Sequence, residues 1–162
     1  MIREITDARD MKNSVKIIAD SFKTVADEFN LTKKNCPTHP SFISFKKLKE
    51  SKDKGLRLFG FFENNKQVGF VAIEKATDIL YYLEKLAVLP EFRHKGYGKI
   101  LISFVFDFVK KAGGKKISIA IIDKSKILKD WYISNGFVEK NKKDFEKLPF
   151  TVCFLEKVLN QY

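Results

Sequence analysis

Along this chain the spacing of apolar residues keeps switching between a step of two and steps of three and four, the periods of strand and helix. That switching limits the fold more than any other feature. Strands that precede and follow single helices are packed most economically as an α/β (α+β) domain with helices on a mixed sheet. Ile2 to Ile5 reads as a short first strand. From Asp10 to Phe29, residues Met11, Val15, Ile18, Phe22, Val25 and Phe29 recur at alternating steps of four and three, the core-facing stripe of an amphipathic helix. "LTKKNCPTHPS" is a loop, and Ser41 is placed to cap a short helix through "FISFKKLKE". "LRLFGFFE" and "KQVGFVAIE" are strands flanking Asn64-Asn65, a pair that tolerates positive φ and suits a tight hairpin. "ILYYLEKLAV" is a further strand, stopped by Pro90. Ile100, Leu101, Phe104, Val105, Phe108 and Val109 follow at helical spacing and end near Gly113-Gly114. "KISIAII" is a buried strand, "SKILKDWYISN" a helix ended by Gly136, and "TVCFLEKVL" a last strand.

The 162 residues show no repeat or interdomain linker, so one domain spanning 1–162 is expected. No apolar run reaches the roughly 18 residues that span a bilayer, and the start lacks the apolar stretch of a secretory signal. A cytoplasmic protein without a membrane partner is the expectation. Cys36 and Cys153 are too few for a disulfide framework. "CPTH" places Cys36 near His39, but a structural zinc site takes about four ligands and His94 and Cys153 stand isolated in sequence, so no metal is expected. The formal charge of +11 draws anions: nucleic acid, a membrane surface or a phosphorylated cofactor. Its lysines are scattered rather than gathered on one face with stacking aromatics, which disfavours nucleic acid.

"EFRHKGYGK", residues 91 to 99, sits between a strand and a helix. Amides at a helix N-terminus lack intrahelical partners and carry the positive end of its dipole. Glycines at 96 and 98 let an anion approach that backbone, and Arg93, His94, Lys95 and Lys99 add charge. A phosphate or diphosphate fits. The P-loop string is absent, and Leu101 stands where a dinucleotide fingerprint needs a third glycine.

"LAVLPEFRHKGYGK" resembles the acetyl-coenzyme A motif of the GNAT N-acetyltransferases, Arg/Gln-x-x-Gly-x-Gly/Ala, with Arg93, Gly96 and Gly98 in the signature positions. "WYISNGF" is similar to a second family segment, Phe/Leu-Tyr-x-x-x-Gly-Phe, with Tyr132 in the tyrosine position. The resemblance covers nearly the whole chain. It implies a mixed sheet of about seven strands that splays between the strand ending at Val88 and the strand starting near Ile117. It also implies acetyl-coenzyme A as cosubstrate. Pantetheine would bond to the backbone of Leu86, Ala87 and Val88, and the diphosphate would sit on the amides of His94, Lys95, Gly96, Tyr97, Gly98 and Lys99. The family often has Asn seven residues before the tyrosine; here that position is Ser125, a shorter donor.

Acetyl transfer to an amine requires a base, stabilisation of an oxyanion and release of a thiolate. Tyr132 can serve the thiolate, or be an aromatic packed beside Trp131. Glu84 precedes Leu86 and Val88 and shares their face by the strand period, so it can accept the amine proton; the alternative is a strand glutamate paired with Lys85. Tyr81 and Tyr82 are candidates to line the acceptor site. So is His39, because the region between the first two helices helps form that site in the family. The acceptor, a small-molecule or protein amine, is not readable, and a homodimer is left open. The rival reading is a non-catalytic coenzyme A-binding module that binds a protein or nucleic acid.

Overall fold

The computed structural model describes residues 1–160. Seven strands and four α-helices are present among them: β1 (Ile2–Glu4), α1 (Ala8–Glu28), α2 (Phe45–Asp53), β2 (Arg57–Glu63), β3 (Lys66–Lys75), β4 (Leu80–Val88), α3 (Tyr97–Lys111), β5 (Lys116–Ile122), α4 (Lys126–Ser134), β6 (Val138–Asp144) and β7 (Thr151–Val158). The strands form one mixed sheet in the order β1-β2-β3-β4-β5-β7-β6. No helix among the described residues is long and apolar enough to cross a membrane.

Two compact units make up the chain, one from Met1–Glu74 and Leu83–Val105, the other from Lys75–Tyr82 and the chain from Phe106 onward. In the first unit β1, β2 and β3 are antiparallel, with Ile2 opposite Phe61 and Gly60 opposite Phe70. Asn64 and Asn65 turn the hairpin at φ of 51° and 63°, the left-handed conformation that this pair was expected to supply. Ile5, Ile18, Leu48, Leu58 and Phe70 are fully enclosed in its core. In the second unit β5 and β7 are antiparallel, with Ile119 opposite Leu155, and β6 pairs with the far side of β7. The start of β4 runs parallel to β5 over three pairs, Leu80–Lys116, Tyr81–Ile117 and Tyr82–Ser118.

Three expectations change. Helix α1 begins at Ala8 rather than Asp10, because the Asp7 carboxylate accepts the Asp10 N–H at 2.8 Å as its cap. Its buried face is also rotated: Met11, Ser14, Ile18 and Ser21 are buried, whereas Val15, Phe22 and Val25 are only half-buried. The Ser14 hydroxyl is satisfied by the Asp10 carbonyl at 2.8 Å and by Gln67, whereas the Ser21 hydroxyl is buried without a partner and only its main-chain carbonyl is used, accepting from Arg93. Finally, Ser44 and not Ser41 caps α2, accepting from the Lys47 N–H at 3.2 Å. Ser41 instead lies in a short 3₁₀ turn, Pro40–Phe42, capped by His39.

Candidate active site

The turn into α3 is built by three backbone choices. Pro90 opens a 3₁₀ turn, His94 adopts φ of 63°, and Gly96 adopts φ of 82° just before the helix begins. Left-handed residues on either side of Lys95 curl the amides of such a segment toward one point, a concavity suited to an anion. Among the described residues no backbone carbonyl takes the N–H groups of residues 96–99. A Cβ added at Gly96 would meet nothing within 4 Å, so the space over this backbone is open. Gly98, by contrast, is not left-handed. His94, Lys95 and Lys99 are exposed around the turn.

Two side chains here prove to be structural braces. Arg93 donates from Nε to the Val88 carbonyl at 3.2 Å, and from its two terminal nitrogens to the Thr24 hydroxyl at 3.2 Å and the Ser21 carbonyl at 2.7 Å. Its guanidinium thus ties the end of β4 to α1 instead of facing the anion. The Tyr97 hydroxyl donates to Glu63 at 2.7 Å, which raises its pKa, and its ring packs on Phe61 and Phe92. What residues 93 and 97 offer a ligand is main chain.

On β4, Lys85 has φ of 54°, a conformation costly for a side chain of its size inside a strand. The backbone is therefore irregular at residue 85, yet Glu84, Leu86 and Val88 keep the same half-buried environment on either side of it. Ala87 is buried, and Glu84, Leu86 and Val88 are half-buried. Lys85 Nζ lies 3.4 Å from Glu84 Oε2. A residue that sequence reasoning passed over, Glu74 on β3, is influenced by the Glu84 carboxyl on the neighbouring strand, which, with partial burial and against the pull of Lys85, pushes the Glu74 carboxyl up to about 7.

His39 is buried, with its ring edge-on to Phe22 and Phe42. The Ser41 N–H donates to Nδ1 at 3.3 Å, and the Ser41 hydroxyl lies 2.7 Å from the same nitrogen. The ring proton therefore sits on Nε2, and burial lowers the pKa, keeping the imidazole neutral.

In the second unit, Tyr132 on α4 is buried between Trp131 and Phe137, with centroids 5.0 Å and 5.4 Å away and both rings edge-on. Among the described residues nothing bonds its hydroxyl, and burial raises its pKa, so it keeps its proton at neutral pH. Ser125 stands at the N-cap of α4 but makes no side-chain cap bond, which leaves its hydroxyl for another partner. Tyr81 is buried, its ring close to where a Cβ on Gly114 would lie, whereas Tyr82 is partly exposed. Asp123, Glu139 and Cys153 bring one ligand atom each within 4.8 Å of one another. Lys129 and Lys142 already neutralise both carboxylates, at 2.5 Å and 3.2 Å from Asp123, so this is an ion-pair network.

The family model for the acetyltransferase (GNAT) family matches residues 22–137, and the chain belongs to that family. Among solved structures, the chain is similar to the PaiA N-acetyltransferase of Thermoplasma acidophilum in complex with coenzyme A (20% identical, TM-score 0.80, covering 98% of each chain). It is similar also to the ribosomal-protein-S18-alanine N-acetyltransferase of Escherichia coli (16% identical, TM-score 0.78, covering 100% of this chain and 95% of that one). A GNAT acetyltransferase of Elizabethkingia anophelis with acetyl-CoA bound aligns at 17% identity and a TM-score of 0.63, over 81% of this chain and 90% of that one. At these identities the likeness is one of fold. A histone acetyltransferase of the MYST family from Arabidopsis thaliana is 35% identical over 64 residues, which are 40% of this chain and 12% of that protein.

Proposed function

We propose that the protein transfers an acetyl group from acetyl-coenzyme A to the nitrogen of a primary amine. The observation that carries this reading is the turn at residues 94–99, where free amides, an open approach over Gly96 and flanking lysines fit a diphosphate. Acetyl-coenzyme A supplies the thioester. The main chain of Leu86, Ala87 and Val88 holds the pantetheine arm, and an amide there faces the carbonyl oxygen as negative charge grows on it. In the second unit, the unspent hydroxyl of Ser125 is the group suited to a polar ligand atom. Tyr132 donates to the departing sulfur. Because burial raises its pKa, the hydroxyl acts as a hydrogen-bond donor to a thiolate of ordinary pKa, about 8.5, rather than by surrendering its proton outright. Glu84 takes the amine proton. His39, neutral and donating through Nε2, serves the acceptor in the first unit; in the second, exposed Tyr82 is the acceptor-facing candidate and buried Tyr81 contributes packing.

A nitrogen acceptor is supported by neighbours that are N-acetyltransferases. The charge of +11 disfavours polycationic acceptors and leaves small amines and protein N-termini. A panel of amines assayed for free-thiol release from acetyl-coenzyme A, with product masses recorded, tests the proposal. Amine-dependent release with a gain of one acetyl group is expected. Tight coenzyme A binding without release from any amine class would instead establish the non-catalytic module.

A further inference from the structure

The first unit carries a cavity of about 710 Å³ that shares no residue with the phosphate turn or with the groups assigned to acetyl transfer. Such a volume lies in the range that holds a small organic ligand. Its floor is Ile17, Phe62 and Leu89, all buried. Arg9, Asn13, Lys16 and Asp20 recur on α1 at steps of four, three and four, which sets them in one stripe along the opening. Part of the charge around the cavity is already used. Arg3 is bound to the Asp10 carboxylate, Asp7 caps α1, and Lys66 Nζ lies 5.5 Å from the centre of the Phe92 ring. Arg9, Lys16, Asp20 and Glu91 form no ion pair or hydrogen bond among the described residues. Arg93 feels the charge of Glu91 but spends its guanidinium on three oxygens. Four Lys–Asp pairs stand at i, i+4 on the helices. Lys23–Asp27, Lys49–Asp53 and Lys126–Asp130 are closed at 2.8, 2.9 and 2.9 Å. Lys16–Asp20, the pair that lines the cavity, is open.

We propose that this cavity is a second ligand site, which takes a peptide-sized zwitterion with its carboxylate toward Arg9 and Lys16 and its ammonium toward Asp20 and Glu91. The two acidic groups share one end of the cavity: Arg93, two residues after Glu91, donates to the carbonyl of Ser21, the neighbour of Asp20. Along the axis of α1, Lys16 is about 6 Å from Asp20 and Arg9 about 16 Å, at 1.5 Å per residue. A ligand that answers both signs has its charges separated on that scale. A single α-amino acid carries ammonium and carboxylate on one carbon and is too short. An extended chain of two to four residues spans about 7–14 Å and fits. Its middle rests on the apolar floor, beside Asn13, whose amide bonds nothing among the described residues. A purely anionic ligand would meet Asp20 and Glu91, and a polycation would meet Arg9 and Lys16, so the mixed charge selects against both. The site stands whether or not the acetyltransferase reading does.

The probe is the tripeptide Ala-Leu-Ala with free ends, titrated into ¹⁵N-labelled protein without acetyl-coenzyme A and followed by NMR. Amide shifts should saturate at residues 9–20, 65–67 and 89–91 and leave the surroundings of His39, Tyr82 and Glu84 unmoved. N-acetylated and C-amidated forms of the peptide should each bind roughly fivefold more weakly or worse, the upper end for an exposed ion pair. Lys16→Asp combined with Asp20→Lys exchanges two exposed charges and keeps the net charge of +11. That variant should bind the free tripeptide about tenfold more weakly, while its affinity for coenzyme A stays at the wild-type value. Glu91→Gln should weaken the free and C-amidated peptides but not the N-acetylated one, which has no ammonium to lose. Shifts that never saturate, or that gather around His39 and Tyr82, overturn the site. Equal binding of the capped peptides, or wild-type binding by the exchanged variant, overturns it too, because the cavity would then be only a wet groove in the field of a basic protein.

Discussion

The hydroxyl of Tyr132 is a single oxygen whose worth can be measured with almost no change of shape. Buried tyrosines usually bond their hydroxyl, and this one bonds nothing among the described residues. Tyr132→Phe should therefore leave the melting temperature essentially unchanged while turnover falls on the order of 100-fold, with coenzyme A affinity retained. A loss of about 1 kcal/mol of stability with turnover intact would show a structural hydrogen bond instead. Gly96 offers the complementary experiment on the cofactor side. Its φ of 82° costs any side chain roughly 1–2 kcal/mol, and the open space above it would be filled by a branched one. Gly96→Val should cost that much stability and weaken coenzyme A binding at least tenfold, about 1.4 kcal/mol, by calorimetric titration. Normal binding by a folded variant would remove the turn from the phosphate site. Gly98, which is not left-handed, should tolerate alanine with little backbone penalty.

At the scale of elements, Arg93 fastens β4 to α1 through three hydrogen bonds, two of them to carbonyls. Arg93→Met keeps the stem and deletes the fork, and should destabilise the fold by about 1–3 kcal/mol, as read by urea denaturation. Arg93→Lys should recover only a fraction, because one ammonium cannot reach three directions in a plane. Destabilisation below about 0.5 kcal/mol would show the clamp to be dispensable. Several elements were legible because their signals are local. Asn64-Asn65 specified its own turn, and the glycine turn and the "WYISNGF" helix announced themselves by residue type. Strand β6 was not legible, since "VEKNKKD" is exposed at every position and has no apolar face to alternate with. It is a strand because β7 supplies the hydrogen-bonding template. Ser14 escaped notice for the opposite reason, as a polar residue buried by a partner distant in sequence, Gln67. The left-handed Lys85 has no signature in the sequence either.

For the molecule as a whole, a ligand specific to the folded state must raise the melting temperature, by about 2.7 kcal/mol of added stability at one hundred times its Kd. Acetyl-coenzyme A should do so, and an acetyl-pantetheine without phosphates should do so far less, as differential scanning calorimetry can show. Equal shifts would mean that the amides of residues 96–99 hold no phosphate. The shift should shrink as salt rises, because the charge of +11 and the ligand's phosphates attract through a screened field. The exposed strand β6 stands at the end of the sheet order, with one side of its backbone unpaired by any neighbour in that order. Such a rim is an invitation to strand-by-strand growth into fibrils, and Lys140 and Lys143 place like charge along it. Exchanging these two for threonine should leave the melting curve close to wild type, yet turn a monodisperse solution into one whose light scattering climbs with concentration.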